Sequence, residues 1–135
     1  VYPNPFIHTT TTGGGALACS AAIAALNVTL RERLWEAAAE KGAYLIPSLE
    51  ALVDRYPDLL AKITGKGLLI GVHFKNGEIG YRVAAGLFKR GVLVAGTLIS
   101  ATTIRIEPPL VISYAELDEV LQCLDDTLQE VQRSL

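Results

Sequence analysis

The chain has 135 residues, half of them hydrophobic and 19% charged, which supplies enough apolar side chain for one core and excludes general disorder. Its formal net charge is −2 and its basic residues are scattered, whereas nucleic-acid binding needs clustered Lys and Arg. The apolar runs are too short to span a bilayer. We therefore expect neither a nucleic-acid partner nor a membrane partner.

The two cysteines, Cys19 and Cys123, are far apart in the sequence, and each lies in an apolar helical pattern. Neither has a partner at the spacing of metal ligands, so we expect no metal site and interpret both as small buried side chains. Reduced cysteines favour a cytoplasmic location. The chain begins with Val1 and contains no Met, from which we expect a processed product or a piece of a longer protein.

The first predicted element is an apolar helix. Residues 8–15 read HTTTTGGG and run directly into ALACSAAIAALNVTL, which is Ala-rich and carries no charge. Free N–H groups at a helix start suit an anion, Thr hydroxyls add donors, and glycines let the backbone approach closely. Because most helix starts bind only water, a linker or a plain N-cap is the simpler interpretation from composition alone.

A second helical pattern runs from about Leu34 to Tyr56, and Pro47 within it predicts a kink or a break near residues 44–46. The segment TGKG then predicts a turn, and LLIGVHF predicts a buried strand. The next segment predicts a helix that ends at Gly91. The side chains expected on its inner face are Ile79, Val83, Leu87 and Phe88.

Two more strands, VLVAGTLI and TIRIE, precede the last helix. Ser113 and Glu116 have the spacing of a capping box at its start. Its apolar stripe consists of Leu117, Leu121, Leu124, Leu128 and Val131. The order of elements predicts an α+β fold, with a short, mainly antiparallel sheet, helices on one face, and the apolar helix before them.

Arg105 is the strongest candidate for binding a ligand. It lies between Ile104 and Ile106, so in an alternating strand its side chain points away from the apolar face. A guanidinium on a rigid strand suits a carboxylate held by two hydrogen bonds. The alternative is an ordinary surface salt bridge, for example to Glu107.

The other candidate motifs favour structural interpretations. GKG at residues 65–67 lacks the remaining residues of a phosphate-binding loop or a dinucleotide fingerprint, so we interpret it as a turn. His8 and His73 have no Asp, Ser or Cys arranged around them, and we interpret both as structural.

Three segments, HTTTTGGGALACSAAIAAL, GKGLLIGVHF and TIRIEPPLVIS, resemble in the same order the closing third of class III aminotransferases. These are pyridoxal-phosphate enzymes of fold type I that include the ornithine, acetylornithine and putrescine aminotransferases. The segments EIGY, GVLVAGTL and TIRIEPPL are most similar to the putrescine, or diamine, branch. The resemblance covers essentially the whole chain. It implies that residues 1–33 end the large cofactor-binding domain and that residues 34–135 form the small C-terminal domain.

The resemblance also implies site residues. Thr11, with Thr10 beside it, matches the Thr that contacts the cofactor phosphate of the other subunit of a homodimer. Arg105 matches the Arg that binds a substrate carboxylate, which for a diamine enzyme belongs to the keto acid. The chain departs from the family between Thr12 and Ala16, where it lacks the family's aromatic residue, Asn and Pro.

The family's Schiff-base Lys and the Asp that pairs with the pyridine nitrogen lie upstream of the matched segments. The lysines of this chain are in other contexts: Lys41, Lys62, Lys66, Lys75 and Lys89. We therefore expect the parent enzyme to move an amino group from a diamine or ω-amino substrate to a 2-keto acid such as 2-oxoglutarate. We expect no catalytic residue in this chain and no activity from it alone.

The alternative is a free-standing, non-catalytic α+β module that binds a ligand or a partner. The helix at residues 16–26 distinguishes the two hypotheses, because a free-standing domain would give it a polar face. Its lack of charge favours a fragment that contacts the rest of a parent chain.

Overall fold

A computed structural model of the protein describes residues 10–97 and 100–135, which divide into two compact units at the boundary between Leu34 and Trp35. The first unit contains α1, Ala16–Arg31. The second is built from α2 (Leu34–Arg55), β1 (Leu60–Lys66), β2 (Leu69–Phe74), α3 (Gly77–Lys89), β3 (Ala95–Gly96), β4 (Thr103–Ile106) and α4 (Tyr114–Arg133). Within the described residues, no helix is both long and apolar enough to cross a membrane.

The four strands form one antiparallel sheet in the order β1-β2-β4-β3. Strands β1 and β2 are a hairpin that closes with Lys66 opposite Leu69, and Gly67 in its turn has a φ of +58°. One face of the sheet is apolar and packs into the core with α3 and α4. Its buried side chains are Ile70, Val72, Phe74, Ile104 and Ile106. The predicted α+β fold is confirmed.

Strand β1 is an element that the sequence did not predict. Thr64, Gly65 and Lys66 form its last residues, so TGKG is strand for three positions and not a turn before a single strand. The strand lies at the edge of the sheet and most of its side chains are exposed, so it lacks the apolar pattern of a buried strand. The predicted strand VLVAGTLI is also shorter, with only β3 paired to β4 among its described residues. Leu98 and Ile99 lie outside the described residues.

Helix α2 runs without interruption through Pro47, so of the predicted kink or break the break is wrong. Proline leaves the carbonyl four residues earlier without its helical donor. That residue, Ala43, and Pro47 are both exposed, so water can satisfy the carbonyl. The opposite face of the helix is fixed in the core by Leu45, Leu49 and Leu52.

The structure corrects three predicted buried positions. Phe88 is exposed, because Val83 and Leu87 already define the inner face of α3 and Phe88 is the next residue around the helix. Cys19 is exposed on α1, which has no buried residue, and Cys123 is only half-buried on α4. Both cysteines are free thiols.

The last helix follows its prediction closely. The Ser113 hydroxyl accepts a hydrogen bond from the Glu116 amide, and the Glu116 carboxylate accepts one from the Ser113 amide at 2.7 Å. This reciprocal pair is the capping box that fixes where α4 begins. Of the predicted stripe, only Leu121 is half-buried while the others are buried.

Candidate functional site

Arg105 occupies the third position of β4, between two buried isoleucines, and its own side chain is exposed. The alternation of the strand therefore places the guanidinium on the face of the sheet opposite the core, as predicted. One of its nitrogens lies 3.4 Å from the Glu107 carboxylate, with the two side chains 44% and 39% exposed. An exposed pair of this kind contributes about 0–1 kcal/mol. Another carboxylate can therefore displace Glu107 from Arg105 at little cost.

The residues across from Arg105 are small. In the register of the sheet, Arg105 lies opposite Gly71 on β2 and opposite Ala95 on β3. Directly opposed side chains are the nearest neighbours on a sheet face, so neither opposite residue places a bulky side chain against the arginine, although His73 lies over the Gly71 position and the more open side is toward Ala95. This open side gives the guanidinium room to meet a ligand.

Arg105 also lines a cleft of about 560 Å³. The walls come from the segment before β3, the two prolines that follow β4, and the first turns of α4, which contribute Glu116 and Glu119. Hydrogen bonds from the Ser113 backbone and hydroxyl lower the pKa of Glu116, so this carboxylate is ionised at neutral pH. Arg105 is the one cation among the residues that line this cleft.

His73 belongs to a hydrogen-bonded bridge that the sequence did not reveal. Its Nε2 lies 2.8 Å from the Thr64 hydroxyl on β1, and its Nδ1 lies 3.0 Å from the Thr103 hydroxyl on β4. Burial lowers the pKa of His73, and the charge of Lys62 lowers it further, so the ring is neutral at pH 7. The sequence carried no signal for this bridge, because it depends on the register of three strands, one of them not predicted.

Thr10 and Thr11 lie in the first unit, in the exposed segment that leads into α1. Gly15 is the N-cap of this helix and has no side chain to cap it. The first intrahelical bond in the sequence is donated by the Cys19 amide to the Gly15 carbonyl, so the preceding amides of the first turn have no helical acceptor. The loop turns tightly through Gly14, whose φ is +83°. The Gly15 amide donates to the Thr12 carbonyl at 3.1 Å, so the free donors are the amides at the start of α1 itself, and Thr10 and Thr11 lie in the exposed segment that precedes them.

His8 lies outside the described residues. Thr10 and Thr11 belong to one unit and Arg105 to the other, so each candidate site is described within its own unit.

Residues 2–128 match the family model of class-III aminotransferases. The chain belongs to this family. Among solved structures it is similar to acetylornithine aminotransferase from Elizabethkingia anophelis, with 32% identity over 93% of this chain and a TM-score of 0.82. It is similar to ornithine delta-aminotransferase from Plasmodium falciparum, with 28% identity over 97% of this chain and a TM-score of 0.83.

A third similar structure is a lysine aminotransferase from M. tuberculosis in the internal aldimine form, with 29% identity over 78% of this chain and a TM-score of 0.74. The class III chain described here covers only 24%, 33% and 34% of the lysine, acetylornithine and ornithine enzymes, respectively. The chain therefore corresponds to about a quarter to a third of these aminotransferases.

Proposed function

We propose that this chain is part of a pyridoxal-phosphate aminotransferase that moves an amino group from a diamine or ω-amino substrate to a 2-keto acid such as 2-oxoglutarate. The observation that carries the proposal is Arg105, an exposed guanidinium on a rigid strand of a class III fold. It has small residues on both sides and only a weak competing carboxylate.

Arg105 binds the carboxylate of the keto acid. A planar guanidinium donates two parallel hydrogen bonds to a carboxylate, which fixes the orientation of the acid as well as its position. The acid displaces Glu107 from the guanidinium. A diamine has no carboxylate, so Arg105 acts on the acceptor and on the amino acid that it becomes.

Thr10 and Thr11 hold the phosphate of pyridoxal phosphate bound to the other subunit of a homodimer, together with the free amides in the first turn of α1. The cofactor, when bound, accepts the amino group from the donor and passes it to the keto acid. The Lys that carries the cofactor comes from the rest of the parent chain, so this chain has binding residues and no catalytic residue.

The remaining assignments belong to the same proposal. Residues 1–33 end the large domain and residues 34–135 form the small domain, close to where the two units divide. The enzyme is cytoplasmic. The diamine donor, with putrescine as the first candidate, rests on the segments EIGY, GVLVAGTL and TIRIEPPL. Two of the similar structures, named for acetylornithine and ornithine, support a donor with an amine at the end of a carbon chain.

Substitution of Arg105 in the full-length protein tests this assignment. Loss of a charged hydrogen-bonded pair is worth about 1.5–3 kcal/mol, so Arg105→Gln raises the KM for 2-oxoglutarate about 10- to 100-fold. Arg105→Lys keeps the charge without the planar fork and gives a smaller rise. The KM for the diamine stays within about twofold in both variants.

The matched control is Arg82→Gln, which removes an exposed arginine paired with Glu78 on α3. It leaves both KM values unchanged. Equal rises in the KM for the amine and for the keto acid in Arg105→Gln would contradict the assigned role.

A further inference from the structure

Three side chains surround the empty position at Gly71, which is directly opposite Arg105. A methyl group added to Gly71 would lie 3.0 Å from the Thr64 hydroxyl, 3.3 Å from His73 Nε2 and 3.6 Å from the Thr103 methyl. The imidazole therefore packs over Gly71, on the same face of the sheet as Arg105. The ring can occupy this position because Gly71 has no side chain.

The imidazole ties the strand that carries Arg105 to the other end of the sheet. Thr103, one end of the bridge, is buried and lies two residues before Arg105 on β4, so both side chains project from the same face. Thr64, the other end, is on the edge strand β1. The bridge therefore spans β1, β2 and β4, and its end on β4 is the side chain next to Arg105 on the same face of the sheet.

Burial and, after it, the charge of Lys62 lower the pKa of His73 and favour the neutral form of its ring. Lys62 on β1 lies directly opposite His73 in the register of the sheet. Arg105, with its partner Glu107, lies on β4, on the other side of β2. A neutral imidazole has one donor and one acceptor nitrogen, and a Thr hydroxyl can serve either. Both nitrogens are used in the bridge, so neither is free to act as an acid or a base.

We infer that His73 is a positioning residue for the carboxylate that Arg105 binds. It holds Thr103, and through it β4, in a fixed orientation, and its ring lies over Gly71, the residue directly opposite Arg105 on β2. The inference rests on the proposed function, because it gives His73 a role only through Arg105. It predicts that damage to the bridge affects the keto acid and spares the diamine.

The test compares His73→Gln and His73→Asn in the full-length enzyme. Asn places its amide near the Nδ1 position and keeps the contact with Thr103, whereas Gln reaches the Nε2 position and keeps the contact with Thr64. His73→Gln raises the KM for 2-oxoglutarate about tenfold, the equivalent of one hydrogen bond, and His73→Asn raises it less than about threefold. In both variants kcat and the KM for the diamine stay within about twofold.

Two further variants complete the test. Thr64→Val removes one end of the bridge at an exposed position, so the protein folds, and it raises the KM for 2-oxoglutarate by about two- to threefold. Tyr44→Phe is the control, because it removes a 2.6 Å bond to Asp118 between α2 and α4. It leaves the KM for 2-oxoglutarate unchanged.

The outcomes separate this inference from the proposed function. If Arg105→Gln raises the KM for 2-oxoglutarate while His73→Gln and Thr64→Val do not, the role of His73 is overturned and that of Arg105 stands. Equal rises in both KM values for His73→Gln, or an equal effect of His73→Asn, also overturn it. If Arg105→Gln itself has no effect, the proposed function is overturned, and the role of His73 falls with it.

Discussion

Arg105 contributes little to the fold, which leaves it available to a ligand. Its ion pair with Glu107 is exposed to water and worth about 0–1 kcal/mol. Its neighbours Ile104 and Ile106 supply the buried contacts that hold β4 in the core. The strand thus fixes the backbone at Arg105 through its apolar residues, and the guanidinium remains outside the core.

His73 makes the stability of the fold depend on pH. Its pKa is lowered from the usual 6.5, first by burial and then by Lys62, so the unfolded chain takes up a proton before the folded chain does. The contribution is therefore fully present above about pH 6.5 and is lost as pH falls toward the folded pKa. We expect an NMR titration of His73 to have its midpoint below 6.5. A midpoint at or above 6.5 would refute this dependence.

The sequence predicted the direction of the Arg105 side chain but not its surroundings. Alternation with two isoleucines is a local property of the sequence, and it predicts that Arg105 points to the opposite face of the strand. The residues opposite Arg105, Gly71 and Ala95, follow from strand register, which is set by a hairpin whose first strand has no clear pattern. The His73 bridge could not be predicted for the same reason, because it also depends on strand register.

At the scale of elements, α2 packs against the β1–β2 hairpin through a contact between glycines. A methyl group on Gly42 would lie 2.5 Å from the backbone of Gly67, whose own φ of +58° fixes the turn. The helix is therefore able to approach the turn only because Gly42 lacks a side chain.

Gly42→Ala sets two effects against each other. Alanine favours the helix by about 1 kcal/mol, but a clash with backbone atoms cannot be relieved by a rotamer change and costs about 1–3 kcal/mol or more. We expect net destabilisation, measured as a lower urea midpoint followed by circular dichroism. Gly96→Ala is the matched control, because nothing lies within 4 Å of the added methyl group. Equal or higher stability of Gly42→Ala would contradict this packing.

The elements that the sequence predicted well have strong local signals. Helix α4 has a capping box and a long apolar stripe, and both are found where the sequence placed them. The predictions that failed depended on tertiary packing. Pro47 is accommodated because it lies on the exposed side of α2, and β1 is stabilised by pairing with β2 and not by its own pattern.

At the scale of the whole molecule, α1 is the most unusual feature. It has no buried residue, and its large apolar side chains remain exposed, with Leu17 at 87% and Ile23 at 60%. Contiguous apolar surface of this kind marks an interaction site. In the proposed enzyme, the rest of the parent chain covers it.

We therefore expect the 135-residue chain on its own to self-associate through α1. Analytical ultracentrifugation should show species larger than the monomer, and Ile23→Lys should shift the distribution toward the monomer. Leu93→Lys, at an exposed leucine of the second unit, is the control and should have no effect. A monomer with α1 formed and protected from hydrogen exchange would contradict the expectation.

The measurement that tests the account most directly is amino transfer by the full-length protein that contains this chain. The protein, loaded with pyridoxal phosphate, is incubated with nitrogen-15-labelled putrescine and 2-oxoglutarate, and the products are analysed by mass spectrometry. The account predicts that the label appears in glutamate, and that Arg105→Gln slows its appearance at low 2-oxoglutarate and less so at saturation. Label that remains entirely in the amine, across a panel of diamine and ω-amino donors, would contradict the account and favour a non-catalytic module that binds a ligand or a partner.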